Sequence, residues 1–510
     1  MKKAMFFAIV FASAMAMAQG LEGPVLVPAP RKMDVGKGVY AVRAACADDV
    51  AVRESRDVSL PAEGYRLSVT TGGVSVASAD AAGAFYARQT LKQLAVQDGE
   101  RQVFPCVEIE DSPAYRWRGV LLDEVRHFFG KENVMRILDL MAYHKLNVFH
   151  WHLTDDEGWR LEIPKYPELT KRGAVRPNSW KRGGRPHKVN GRSVIDRNTE
   201  AYGPCFYTAD DVREILAYAE ARHITVVPEI ELPGHAGAAV VSYPQFACRP
   251  EGVRERIWDA GWGNTIDVFC VGNDETVRFL EDVLDYVCEL FPSKVIHIGG
   301  DECPRTRWKE CPKCQARMKA EGMKDVNDLQ AWMTRHFARH LEKKGRRIMG
   351  WDEILSGDVP QSAIGMSWRT SQKNGTGDKL TSGAEGAQRG HDMVMSPHTI
   401  CYYDYSQDLP DDPFQYIGGH IPLEKAYSFD PCAGVAEEVR SHVLGGQCNN
   451  WSEFTWNEHD LAWKMWPRTC AMAEVLWTAP VPRDFWDFFK RMEAHRRRLI
   501  ARGVNCAPLR

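Results

Sequence analysis

Hydrophobic positions in this chain change their period near residue 111. Before that point short alternating runs dominate. Tyr65-Arg66-Leu67-Ser68-Val69 and Val74-Ser75-Val76 flank a Thr-Thr-Gly-Gly turn, which reads as a hairpin with one buried face. A helical spacing follows through Ala81, Phe85, Leu91 and Leu94, so residues 19–111 are expected to form a small α+β domain. Asp111-Ser112-Pro113 marks a boundary, and beyond it β-like runs alternate with amphipathic stretches. The candidate strands are Trp117–Asp123, Asn147–Thr154, Thr225–Glu231, Val295–Gly300, Arg347–Trp351, Ala363–Trp368, Asp392–Met395 and Val443–Asn449. Between several of them lie single apolar faces: Val134, Ile137, Leu138 and Met141; Val212, Ile215, Leu216 and Ala219; Val277, Leu280, Leu284 and Val287. Strands that alternate with helices need right-handed parallel crossovers, and eight such units close into a (β/α)8 barrel, expected over residues 112–510. The alternative is an open doubly wound sheet. The barrel is preferred because polar and aromatic residues recur at nearly every strand's C-terminal end, whereas an open sheet gathers them at one switch point.

Composition narrows the partners. The chain has 510 residues, 44% hydrophobic and 26% charged, with a formal net charge of −3 and no Lys/Arg block. No electrostatic footprint for nucleic acid or an anionic membrane is present, and a neutral small ligand fits better. Lys2 and Lys3 precede an apolar stretch, Ala4 to Ala14, and Ala16-Met17-Ala18 places small residues where a signal peptidase reads them. Residues 1–18 are therefore expected to be a signal peptide cleaved after Ala18, and the mature chain an exported, periplasmic or secreted protein. The stretch is too short for a membrane span. The first cysteine is Cys46, too far along for a lipid anchor.

The chemistry concentrates in Val295-Ile296-His297-Ile298-Gly299-Gly300-Asp301-Glu302. This is an apolar run closed by two glycines and two acids, a buried strand delivering charge to a cavity mouth. The bland reading is a helix N-cap. Two carboxylates side by side are costly to bury unless one keeps its proton, and a proton-donating acid beside an anion is what glycosidic bond cleavage needs. Other strand ends add Asp123, Arg126 and His127; His150, His152, Asp155 and Asp156; Glu229 and His235; Trp351 with Asp352; Trp368; Tyr402 with Asp404; and Trp451 with Glu453. Aromatic faces pack on sugar C–H surfaces while Asp, Glu and Arg bind ring hydroxyls. His150 and His152 alternate along a strand and are expected together inside the barrel; metal ligation is the competing reading.

Fourteen cysteines are too few for a disulfide scaffold. Cys303, Cys311 and Cys314 fall within one stretch after the acid pair, the last two as Cys-Pro-Lys-Cys. Disulfide, structural zinc and free thiols all remain open for this cluster, with no fourth ligand nameable. No metal is assigned to the catalytic site and no cofactor is required. The sequons at Asn374 and Asn450 read as incidental.

Five motifs together resemble glycoside hydrolase family 20, the β-N-acetylhexosaminidases. They are Arg118-Gly-Val-Leu-Leu-Asp-Glu-Val-Arg126-His-Phe, His152-Leu-Thr-Asp155-Asp-Glu-Gly-Trp159-Arg, Pro228-Glu-Ile-Glu-Leu-Pro-Gly-His235, His297-Ile-Gly-Gly-Asp301-Glu302 and Asn450-Trp451-Ser-Glu453. The likeness runs from about Pro28 to Trp477 and keeps the family's motif order. It implies a TIM barrel behind a small α+β domain, and exo-acting removal of terminal β-linked GlcNAc or GalNAc from a glycan with retention. By the same resemblance Glu302 is the general acid and base, and Asp301 orients the substrate's acetamido group, which itself attacks the anomeric carbon. Asp155 and His235 form a relay to Glu302. Arg126 and Glu453 grip the C3 and C4 hydroxyls, Asp404 the C6 hydroxyl, and Tyr402 the acetamido oxygen, while Trp351, Trp368 and Trp451 wall the sugar. The basic, Gly-rich stretch Lys181 to Tyr202 and the cysteine cluster depart from the family pattern and bear on the leaving-group side.

Adjacency supports an internal nucleophile. Neighbouring Cα atoms are about 3.8 Å apart, whereas acid and nucleophile in ordinary retaining enzymes approach from different sides, about 5 Å apart. A retaining glycosidase with a protein nucleophile and a non-catalytic carbohydrate-binding protein are the rival readings; a covalent adduct would mark the first, and failure to release an aryl aglycone the second.

Overall fold

The computed structural model describes residues 23–176, 201–255, 257, 266–370, 383–408, 412–414, 416–478 and 483–509, plus the backbone of two short strands, His187–Val189 and Arg192–Val194. The expected signal segment, the Asn374 sequon and most of the stretch Lys181 to Tyr202 lie outside these residues.

Alternation builds the first domain. Tyr65, Leu67 and Val69 are buried while Arg66 and Thr70 are exposed, so one face of the strand Tyr65–Thr70 packs inward. It pairs antiparallel with Gly73–Ser78, Thr70 opposite Gly73, as the hairpin pattern predicts. The sheet runs in the order Lys32–Arg43, Arg101–Asp111, Tyr65–Thr70, Gly73–Ser78, Val52–Arg56, and Val96–Asp98 pairs with Arg101–Asp111. Helix Ala81–Leu94 covers it; Asp80 caps the helix, its Oδ1 accepting from the Gly83 N–H at 2.8 Å. One of the contacts that join this domain to the rest is a buried carboxylate. Asp111 Oδ2 accepts from Tyr65 OH (2.8 Å), Lys145 Nζ (2.9 Å) and Trp477 Nε1 (2.9 Å).

Eight parallel strands close the second domain into a barrel, each beside its neighbour in sequence. They are Trp117–Asp123, Val148–His152, Thr225–Glu229, Val295–His297, Arg347–Trp351, Ile364–Ser367, Met393–Met395 and Val443–Asn450. The helical faces read from the sequence point inward: Val134, Ile137, Leu138 and Met141 are buried on Lys131–Tyr143, and Val277, Leu280, Leu284 and Val287 on Asp274–Leu290. Inside the barrel Trp117, Leu121, Val148, Val227, Met349, Ile364, Met366 and Val394 form one apolar cluster, so the interior is a packed plug rather than a pore. Among the described residues no helix is long and apolar enough to cross a membrane.

The fourth strand stops earlier than its hydrophobic run suggests. It ends at His297, and Gly299 and Gly300 follow with φ of 61° and 95°. Only glycine fits there: a Cβ on Gly299 would lie 1.8 Å from the Glu231 carboxylate. Asp301 and Glu302 therefore ride on a left-handed turn above the strand. The next helix begins at Thr306, so the pair is no helix N-cap.

Candidate active site

The two acids are not equivalent. The Asp301 side chain is 15% exposed and that of Glu302 39%, which sets Asp301 in the floor and Glu302 on the rim. Glu302 and His235 both have φ of 46°. Non-glycine residues held there cost on the order of 1–3 kcal/mol each, and such strain gathers at working sites. His235 stands between the acids and the interior. Its Nε2 is 3.4 Å from Asp301 Oδ2 and 4.0 Å from Glu302 Oε2, while Nδ1 lies 3.0 Å from Asp155 Oδ1 and 3.4 Å from Asp156 Oδ2. Burial opposes its protonation, but Asp155 and Asp301 outweigh that and hold its pKa well above the ordinary value. The expected partners meet, with His235 nearer Asp301 than Glu302.

Asp155 is the junction of two networks. Its Oδ2 meets Arg126 Nη2 at 2.8 Å and His152 Nε2 at 3.0 Å. Desolvation would raise its pKa, yet Arg126 and His235 hold it well below the carboxylate range. Arg126 also reaches Glu157 (2.9 Å), Asp123 (3.2 Å) and Glu453 (4.0 Å), so four carboxylates surround one guanidinium. Burial pushes Glu157 and Glu453 both up to about 7, with Arg126 only partly offsetting it.

Deeper in, His152 Nδ1 lies 2.5 Å from Glu229 Oε2, His150 Nε2 3.2 Å from the same oxygen, and His297 Nδ1 2.8 Å from Oε1, which also accepts from Trp351 Nε1 at 2.9 Å. His150 and His152 thus share the interior, joined through Glu229. Burial disfavours the His152 imidazolium, but Glu229 and Asp155 raise its pKa to about 10. His150, for which burial dominates, falls to about 4.

Aromatic rings form the opposite wall. Trp368 and Tyr402 stack at 6.3 Å and 15°, Tyr402 meets Trp451 at 6.1 Å, and Trp451 meets Trp351 at 5.7 Å. Trp368 and Trp451 are half-buried, whereas Trp351 is only 1% exposed and sits at the base. Asp404, 2% exposed, has no hydrogen-bond partner for either oxygen among the described residues, and Asp301 Oδ1 and Glu453 Oε2 share that condition. Burial raises Asp404 to about 8, with the nearby Glu453 adding to it.

Sequence reasoning passed over several members. Glu157 on Arg126, Glu231 behind Gly299 and Glu353, whose Oε2 accepts from Trp368 Nε1 at 3.0 Å, all lie one or two positions past a residue that was singled out. The cysteines require a correction. Cys303 is not in the cluster that forms; Cys311 and Cys314 gather instead with Cys248 and Cys270. The reason is directional. Cys303 belongs to the turn pressed on Gly234, where a Cβ would lie 3.0 Å from Cys303 Cα, while helix Pro312–Ala320 turns the later pair toward another loop. No disulfide joins any of the fourteen cysteines.

Paired acids over a barrel mouth, faced by an aromatic wall, define a carbohydrate-processing site, and comparison with known proteins gives the family. The model of the glycosyl hydrolase family 20 catalytic domain matches residues 115–480, and that of the family's domain 2 matches residues 32–112. The chain belongs to glycosyl hydrolase family 20. It is 40% identical over 460 residues to a beta-hexosaminidase of Porphyromonas gingivalis (88% of this chain, 55% of the relative), and 37% identical over 413 residues to one of Vibrio furnissii (80% and 64%). The chain therefore spans between half and two thirds of the length of these two curated relatives. In structure it resembles the GH20 exo beta-N-acetylglucosaminidase of Vibrio harveyi, in complex with N-acetylglucosamine, with a TM-score of 0.82, 30% identity, and coverage of 96% of this chain and 80% of that one.

Proposed function

We propose that this chain is an exported exo-β-N-acetylhexosaminidase that removes terminal β-linked GlcNAc or GalNAc from glycans, with retention of configuration and with the substrate's acetamido group as nucleophile. Glu302, on the rim, donates its proton to the glycosidic oxygen as the bond from C1 to that oxygen breaks. The acetamido carbonyl oxygen closes on C1 and gives an oxazolinium ion. Asp301 accepts the amide N–H and steadies the positive charge that develops, and Tyr402 donates to the carbonyl oxygen to aim it. Water then adds to C1, passing its proton to Glu302, and the amide is restored. Family 20 is an established exception to the two-carboxylate scheme of retaining glycosidases. Holding the amide against C1 exploits the high effective molarity of an intramolecular group.

The observation that carries this reading is Asp301 Oδ1, a buried carboxylate oxygen without a partner among the described residues, beside a more exposed Glu302. An acceptor held in the floor suits an amide N–H, and an acid on the rim suits a leaving group bound for solvent. Asp404 and Glu453 offer further unpartnered acceptors to hydroxyls, and Arg126 beside Glu453 supplies a donor. The relatives named beta-hexosaminidase and the N-acetylglucosamine complex of the Vibrio harveyi enzyme support the substrate class.

The test compares aryl β-N-acetylglucosaminide with aryl β-glucoside and adds a thiazoline mimic of the oxazolinium. Strong preference for the acetamido sugar together with tight thiazoline inhibition is expected; equal turnover of the glucoside would refute the reading. Export rests on the residue 1–18 pattern, and N-terminal sequencing of protein from the exported fraction should begin at Gln19.

A further inference from the structure

We infer that Cys248, Cys270, Cys311 and Cys314 form a structural zinc site that clamps the segment following Asp301-Glu302 to the segment following His235. The four thiols come from three separate stretches. Cys248 follows the short turn Pro244–Phe246, Cys270 precedes helix Asp274–Leu290, and Cys311 and Cys314 lie at the start of helix Pro312–Ala320. All four sulfurs fall within 4.8 Å of one another. The individual separations are 3.6 Å for Cys270 to Cys311 and 3.8 Å for both Cys270 to Cys314 and Cys248 to Cys314.

Those lengths separate a metal site from a disulfide, two of the chemistries left open by the sequence. A tetrahedral ion with Zn–S bonds near 2.3 Å needs sulfur-to-sulfur edges of about 3.8 Å, whereas a disulfide needs about 2.05 Å. The surrounding backbone prepares the sulfurs to converge. The Gly272 N–H donates to the Cys270 sulfur, the kind of supporting bond that orients metal ligands. Gly272 also presses directly on the backbone between the other two: a Cβ there would lie 2.1 Å from the Lys313 carbonyl carbon, so only glycine lets the Cys270 turn close on Cys-Pro-Lys-Cys. Cys311 stands at the N-cap position of helix Pro312–Ala320 and Cys314 in its first turn, so one helix start presents both sulfurs. Four soft sulfurs exclude magnesium and calcium, and zinc is the redox-silent ion for such a tetrahedron.

The clamp reaches the active site through short links. The Phe269 N–H donates to the Pro233 carbonyl at 3.1 Å, two residues from His235. From the other side Trp308 Nε1 donates to the Phe269 carbonyl at 3.0 Å and Arg307 Nε to Asp267 at 2.8 Å. The four cysteines are positioning residues, acting through the two segments they join.

The experiment uses the full chain, expressed with zinc and purified without chelator. Elemental analysis should give about one zinc per chain, and X-ray absorption at the zinc edge should show four sulfurs near 2.3 Å. The double variant Cys311→Ser, Cys314→Ser should lose the zinc and melt at lower temperature, while Cys303→Ser should keep it. If the double variant does not fold, the wild-type absorption spectrum still decides. Zinc well below stoichiometry, iron in its place, a zinc shell of oxygen and nitrogen, or an intact mass short by the hydrogens lost in disulfide formation would each overturn the assignment.

Discussion

Glu229 and Asp404 are both buried carboxylates of one barrel, yet their surroundings drive them in opposite directions. Around Glu229 stand His152, His150, His297 and the Trp351 N–H, and although burial alone would raise its pKa, the histidines hold it well below the ordinary range. Asp404 has no hydrogen-bond partner among the described residues and is raised to about 8. The protein satisfies the first acid and leaves the second for something else to satisfy. A satisfied buried network is scaffold; an unsatisfied buried acceptor marks where a ligand's donors go. Asp301 and Glu453 fall on the same side of the division as Asp404.

The contrast can be broken most forcefully at Glu302. With Glu302→Gln, kcat on glycans with poor leaving groups should fall about 10²–10⁴-fold, aryl substrates with good leaving groups should suffer less, and the melting temperature should hardly move. Unchanged glycan turnover would remove the acid from its role. On the scaffold side, Glu229→Gln leaves the His152 imidazolium without its main partner. Removing one member of a buried pair costs about 3–5 kcal/mol, so urea unfolding should show a loss of that size; a neutral result would mean that the network is not scaffold.

A finer test uses Asp404. Its folded pKa of about 8 lies above the ordinary carboxylate value of 3.8, so between those limits the folded state binds a proton that the unfolded chain has released. That contribution to stability is complete below pH 4 and is lost as pH rises through 8. Glu453, at about 7, acts in the same direction. The ligand-free melting temperature should therefore decline between pH 4 and 8, and Asp404→Asn should flatten the decline while kcat/KM drops about tenfold, the worth of one hydrogen bond. A variant as steep as wild type would place Asp404 among satisfied groups. The smallest effect is expected at Glu157→Gln. Glu157 is already partly neutral at about 7 and three carboxylates still surround Arg126, so KM should change by no more than about threefold, less than half of the ~1.4 kcal/mol of a tenfold change.

Much of this division was legible in the residues, and its limits have physical causes. Eight strands and the helices between them follow from apolar periodicity, and Asp301-Glu302 declared itself by closing a buried run. Strand ends were harder. The run from Val295 to Gly300 looks continuous, but the left-handed glycines end the strand at His297, a backbone event that hydrophobicity does not encode. Glu157, Glu231 and Glu353 were passed over because each sits beside a stronger signal, and only the closed barrel shows which neighbour points inward. The cysteines show the same limit at longer range. Cys311 and Cys314 were visible as a spaced pair, but Cys270 and Cys248 are dozens of residues away, and only tertiary structure replaces Cys303 with them.

The claim at the centre is that Asp301 serves an amide of the substrate and not the sugar carbon. The most direct measurement is kcat/KM for aryl glycosides whose N-acetyl group carries none, one, two or three fluorines. Each fluorine weakens the carbonyl oxygen as a nucleophile, so the rate should fall steeply and steadily along the series. Rates that stay level across all four would contradict the account.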